Sequence, residues 1–206
     1  MTQPNFSLSK GERTRQTILE AAYSLFLEQG FHATSMRQIA ERTGMAVGGI
    51  YNHFTSKEAI FDVLIMQKHP YQQILPVLQS STGDTFEEFV RNGAHAMVAE
   101  LGRRPDFIKL IFIEMIEFKG SHVPHLFQII FPQIQSLLER FKTPDSRLRD
   151  IPLPAVMRIF IGLFFSYYII ETMVGNNQIP GFQGEVAVDQ FIDIFLHGIL
   201  KPTEST

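Results

Sequence analysis

The sequence predicts an all-α chain, with an N-terminal three-helix domain of helix-turn-helix type and a C-terminal helical domain, about nine helices in all. Three observations predict it. Apolar residues recur three and four apart along most of the chain, the spacing of one helix face. Helix punctuation is dense near the N-terminus, where Ser35 with Gln38 and Thr55 with Glu58 read as capping boxes on either side of a glycine turn. Finally, Ile159 to Ile170 is a run in which only Ser166 and the tyrosine hydroxyls are polar.

Taken in order, Met1 to Ser9 is a polar tail with Lys10, Arg13 and Arg15 behind it, either a solvated end or an arm for phosphate contacts. Helix one carries Ile18, Leu19, Ala22, Leu25 and Phe26 at helical spacing, Gly30 ends it, and Phe31 plugs the space before the next helix. The second helix opens at Ser35, turns Met36, Ile39 and Ala40 inward, and stops at Gly44. A third is expected over Val47 to Phe54, anchored by Ile50 and Phe54.

That third helix is costly for a purely structural element. Gly48 and Gly49 stand side by side in it, and each glycine costs a helix interior about 1 kcal/mol relative to alanine. Missing Cβ atoms help where backbone must approach a ligand closely. Tyr51, Asn52 and His53 can all hydrogen-bond phosphates or base edges. Lys57 sits at a helix N-terminus, where a cation makes sense if a phosphate binds there too. Helix, glycine turn, short helix is the arrangement whose second helix can lie in a DNA major groove.

Residues Gly11 to Phe61 resemble the DNA-binding domain of the TetR family of transcriptional regulators. The resemblance lies in R-x-x-I-L-x-A-A-x-x-L-F-x-x-x-G-F (Arg15 to Phe31), T-S-M-R-Q-I-A, the T-G-M turn, G-G-I-Y-N-H-F and the following S-K-E. It covers about a quarter of the chain without gaps. One departure is Ala46, where the family usually has a capping serine or threonine. The loss of that hydroxyl should cost about 1 kcal/mol of local helix stability. The resemblance implies residues 1–56 as DNA-binding domain and 57–206 as regulatory, ligand-binding and dimerisation domain. Candidate DNA contacts are Thr34, Ser35, Arg37, Val47, Gly48, Gly49, Tyr51, Asn52, His53 and Lys57.

Beyond Thr55 a helix runs through Ile60, Phe61 and Leu64 toward Lys68, with Pro70 and Pro76 as breaks and Ser80 to Asp84 as a turn. Further helices are expected over Thr85–Leu101, Pro105–Phe118 and Pro124–Phe141, then a polar linker from Lys142 to Pro154. Two more close the chain, Pro154–Val174 and about Glu185–Leu200. The twelve apolar residues from Ile159 are too few for a bilayer, which needs about 20, so no membrane is expected. A helix apolar all round must be covered on every side, and a second copy is the simplest cover. The expected homodimer contacts are Phe160, Phe165, Ile169, Phe191, Phe195 and Ile199.

An effector pocket is expected in the C-terminal domain, because fourteen of the nineteen phenylalanines lie beyond residue 84. Its candidate lining is His95, Phe112, Glu114, Met115, Phe127, Phe131, Phe164, Tyr167 and Tyr168, with Glu117 a further polar candidate, which suits a small hydrophobic molecule. Aromatic and methionine stripes at this spacing also serve as plain core. His122 and His125 form an H-x-x-H pair near Glu114 and Glu117, but loop histidines are more often solvated and no metal site is assigned. No cofactor is expected.

Composition narrows the classes further. The 206 residues are 45% apolar, enough for a sizeable core, and have no cysteine for disulfides, thiolate sites or nucleophiles. A leader segment is missing at the N-terminus, which predicts a cytoplasmic protein. The net charge of −3 argues against a globally basic binder, yet residues 9–57 hold six Lys/Arg against four Asp/Glu, while 69–206 hold eleven against fifteen. No G-x-S-x-G, H-E-x-x-H or phosphate-binding glycine loop is present, so no enzyme is expected. The expected function is a ligand-responsive regulator, by family default a repressor, that binds a palindromic operator as a dimer. The alternative is a helical small-molecule-binding dimer without a DNA role.

Overall fold

The computed structural model describes residues 9–80, 85–139, 141, 149–174 and 186–199. Among these every regular element is a helix: α1 (Lys10–Gln29), α2 (Met36–Thr43), α3 (Val47–Tyr51), α4 (Lys57–Lys68), α5 (Tyr71–Ser80), α6 (Phe86–Gly102), α7 (Asp106–Glu117), α8 (Val123–Glu139), α9 (Leu153–Val174) and α10 (Val186–Ile199). The expected tail before Ser9, residues 81–84 of the expected turn and most of the linker after Lys142 lie outside the described residues.

The chain divides into two compact units. The first comprises Met1–His69 with Asp106–Pro124, the second Pro70–Pro105 with His125–Thr206. Packing thus joins α4 and α7 to the N-terminal helices, which differs from a division at residue 56. The cause is apolar surface. Ile60, Phe61, Leu64 and Ile65 of α4 and Leu110 of α7 share one core with Ile18, Leu19, Leu25, Phe26, Ile39 and Ile50.

Local chemistry sets the helix ends. Ser9 caps α1 through a complete box with Glu12, so this helix begins earlier than its apolar stripe suggested. Ser35 and Gln38 form the expected box on α2, and Gly44 ends it with φ 68°. The cap of α4 is Ser56, whose hydroxyl accepts from the Ala59 N–H; the expected Thr55–Glu58 box is not the cap used. Pro70 stops α4 by forcing His69 into an extended conformation, φ −65° and ψ 130°. Pro76 was expected as a break, yet it lies inside α5, the helix that the sequence reading left out.

In the second unit Phe86, Phe89, Val90 and Ala94 of α6 pack with Phe164 and Tyr167 of α9 and Val188, Ile192, Phe195, Leu196 and Ile199 of α10. Thr85 caps α6 by accepting from the Glu88 N–H. By length and composition Leu153–Met173 would suffice to cross a bilayer. It nevertheless has a buried side, formed by Met157, Phe164, Tyr167 and Tyr168, and an exposed apolar side, formed by Ile159, Ile170 and Met173.

Candidate nucleic-acid interface

The interface is built from α2, its glycine turn and α3. Beyond Gly44, the Met45 N–H donates to the Ala40 carbonyl at 2.9 Å, which closes the end of α2 and sets the direction of the chain into α3. Ala46 occupies the N-cap of α3 without a side-chain hydrogen bond, as its lack of a hydroxyl requires. The helix is shorter than expected and ends at Tyr51, although the Phe54 N–H still donates to Ile50 at 3.0 Å. Ile50 at 0% exposure and Phe54 at 4% hold it to the core. The Arg15 guanidinium lies over the Phe54 ring, 4.5 Å from its centroid.

With that side fixed, α3 presents Val47, Gly48, Tyr51 and Asn52 to solvent, Tyr51 being 52% exposed. The two glycines differ. A Cβ on Gly48 would meet nothing within 4 Å, so no internal contact explains it. One on Gly49 would stand 3.3 Å from Met45 Cε, so here packing is a sufficient reason. His53 is half-buried.

Other candidates have structural work. Thr34 is buried, donates its hydroxyl proton to Gly30 O at 2.8 Å and accepts from Gln29 Nε2. Ser35 is exposed but its hydroxyl is engaged with Gln38. Arg37 is exposed and pairs with Glu41 one turn on, and Arg42 forms a two-pronged pair with Glu28. Lys57 departs most from expectation. Its Nζ donates to Phe31 O at 2.8 Å and Thr34 O at 3.0 Å, sits 3.4 Å from His32 O, and lies 4.3 Å from the Phe31 ring centroid. The ammonium therefore ties α4 to the loop before α2, where its charge is spent on carbonyls.

The candidate effector residues are divided between the two units. Phe112, Glu114 and Met115 belong to the first unit, and His95, Phe127, Phe131, Phe164, Tyr167 and Tyr168 to the second. Phe112 and Met115 point outward, and Glu114 is buried against His122. Tyr168 donates its hydroxyl proton to Arg104 O at 2.9 Å, and His95 pairs with Asp189 at 3.1 Å. Burial, with Glu171 nearby, pushes the Tyr167 hydroxyl up. Of the expected dimer contacts, Phe195 and Ile199 are buried in the second unit's own core, and Phe160 and Phe191 pack against it. Phe160, Phe165, Ile169 and Phe191 are half-buried.

Residues 18–64 match the model of the family described as bacterial regulatory proteins, tetR family. That stretch is a TetR-family N-terminal domain. It is 24% identical over 188 residues to the uncharacterized HTH-type transcriptional regulator YvkB of Bacillus subtilis (strain 168), covering 90% of this chain and 97% of that one. It is 41% identical over 59 residues to the HTH-type transcriptional regulator UidR of Escherichia coli (strain K12), and that match spans 29% of this chain and 30% of UidR. In fold it resembles NalD, the secondary repressor of the MexAB-OprM multidrug efflux pump in Pseudomonas aeruginosa. The TM-score is 0.68 at 20% identity, over 94% of this chain and all of the NalD chain. At that identity the likeness shows architecture alone. The matched residues include all of α2 and α3.

Proposed function

We propose that this chain is a dimeric, cytoplasmic repressor of the TetR family that presses α3 into the major groove of a palindromic operator and lets go when a small hydrophobic effector binds. One observation carries the DNA reading. α3 is fixed by Ile50 and Phe54 on one side, while on the other Tyr51 and Asn52 are exposed beside a Gly48 that has open space where its Cβ would be. This face has little bulk and several hydrogen-bonding groups, as close contact with a groove requires. Residues 1–56 would read the DNA and 57–206 regulate. Repression is the sign carried by NalD's description, and it is proposed for this chain on that likeness.

Dimerisation is proposed through the exposed side of α9 and α10. Ile159, Ile170 and Met173 share that surface with Gly162, whose missing Cβ faces open space, and with Ser166; Ile194 of α10 is 66% exposed. Small residues between large apolar ones let a second helix approach closely, and a two-fold partner would present the same surface in return. The effector is proposed to enter among the aromatic side chains of the second unit, where Phe160, Phe164, Tyr167 and Phe191 pack together. Ligand binding would favour a conformation whose two recognition helices no longer fit the half-site spacing.

The test is a fluorescence titration of duplex DNA from the region beside the chain's own gene. The wild type should bind with a steep salt dependence. Tyr51→Ala and Asn52→Ala should each cost about 1–3 kcal/mol of affinity at an unchanged melting temperature. Equal affinity of both variants and wild type would refute the assignment of α3.

A further inference from the structure

The first unit also contains a charged cluster away from the recognition surface. His122, in the turn between α7 and α8, is held at both ring nitrogens: Nδ1 is 2.5 Å from Glu114 Oε2, and Nε2 is 2.7 Å from Asp62 Oδ1. Its backbone N–H donates to the other Glu114 oxygen at 2.9 Å. Glu114, in α7, is 2% exposed, whereas Asp62, in α4, has a side chain 56% exposed. The imidazole lies against Phe61 and Phe118, whose rings stack 4.4 Å apart at 8°. Only the imidazolium donates from both nitrogens at once; a neutral ring must turn a lone pair toward one of the carboxylates.

We propose that His122 is a proton-operated latch, which as an imidazolium joins α4 through Asp62 to α7 through Glu114 and on losing its proton releases α4. Glu114 keeps the ring, because it is buried and also holds the backbone N–H. Asp62 is the partner lost, because water can solvate it at little cost. Burial alone would push His122 down, but the hydrogen bonds to Asp62 and Glu114 outweigh it and hold the ring above its usual value. A raised value means the latch is fully closed below about 6.5, the ordinary histidine value, and opens as pH rises through the raised one. Of the other charged groups on these elements, Glu117 of α7 is taken by His32 at 2.9 Å, and Glu58 of α4 and Lys119 of the turn are exposed.

If the chain reads DNA as proposed, the latch sets its affinity. The N-terminus of α4 carries Lys57, which holds the carbonyls of the loop leading into α2, so loosening α4 loosens the support of the recognition helices. Operator binding should weaken as pH rises. Other ionisable groups share this unit, so only comparison with a latch variant isolates the effect.

The experiment follows the His122 ring by NMR in the full chain, and in the same samples measures amide exchange protection of α4, corrected for intrinsic rates, from about pH 6 to about pH 9. In the wild type α4 protection should fall several-fold along the ring titration. Asp62→Asn, at an exposed position, should be low at every pH, and His122→Gln should be flat. Protection in the wild type that ignores the ring titration, or a fall that survives in Asp62→Asn, overturns the latch. Absence of DNA binding at every pH, with the protection fall intact, would sink the DNA-binding reading and leave the latch standing.

Discussion

Gly48 and Lys57 show how differently two candidate DNA-contact residues can act. Gly48 lacks a Cβ where nothing inside the protein would meet one, so Gly48→Ala should leave the melting temperature equal or higher. It should nevertheless cost about 1–3 kcal/mol of operator affinity, measured by fluorescence titration, because the added methyl stands between backbone and DNA. Gly49→Ala should act mainly on packing, through Met45. Lys57→Ala should behave as a stability variant. Removing a cation that holds two loop carbonyls within 3.0 Å should lower unfolding free energy by about 1–3 kcal/mol in a denaturant titration and leave the salt slope of DNA binding unchanged. The exposed face of α3 was legible because a two-turn helix with one apolar pair has only one way to sit. Lys57 was not, because its carbonyl partners lie more than twenty residues upstream and acquire meaning only once α4 folds back on that loop. Asp62 was missed for the same reason: the nearness of Glu114 to His122 was readable as a metal pair, but the third partner is far away in sequence.

At the level of elements, the caps were the most readable feature and also the most easily misplaced by one residue. Ser35 with Gln38 and the left-handed Gly44 came straight from residue type and spacing, since a cap depends only on neighbours. At α4 two hydroxyls compete, and the structure uses Ser56. Ser56→Ala should therefore lower the melting free energy by about 1 kcal/mol while Thr55→Ala changes it little, a comparison that thermal unfolding makes directly. α5 was missed because Pro76 reads as a breaker, yet it lies in the middle of this ten-residue helix without ending it. The side that α9 presents was illegible for a different reason. A helix apolar all round has no periodic signal, so nothing in the sequence separates the buried Phe164 and Tyr167 from the exposed Ile159 and Ile170.

For the whole molecule, the proposal needs two reading heads joined by the exposed side of α9 and α10. Ile159→Asp with Ile170→Asp places charges on that side without touching the buried Phe164 and Tyr167. Sedimentation at micromolar concentration should then report monomers where the wild type reports dimers, and operator affinity should drop with them. The family was legible from the first quarter of the chain, where short-range signals and recognition chemistry coincide. The regulatory half carried only core-like aromatic stripes, which name neither a ligand nor a face. Selection of duplexes from a random pool by the purified chain tests the central claim most directly. The account predicts enrichment of an inverted repeat with half-sites about one helical turn or more apart, lost when Tyr51→Ala replaces the wild type. A pool without enrichment, or the same enriched repeat with Tyr51→Ala, would contradict it.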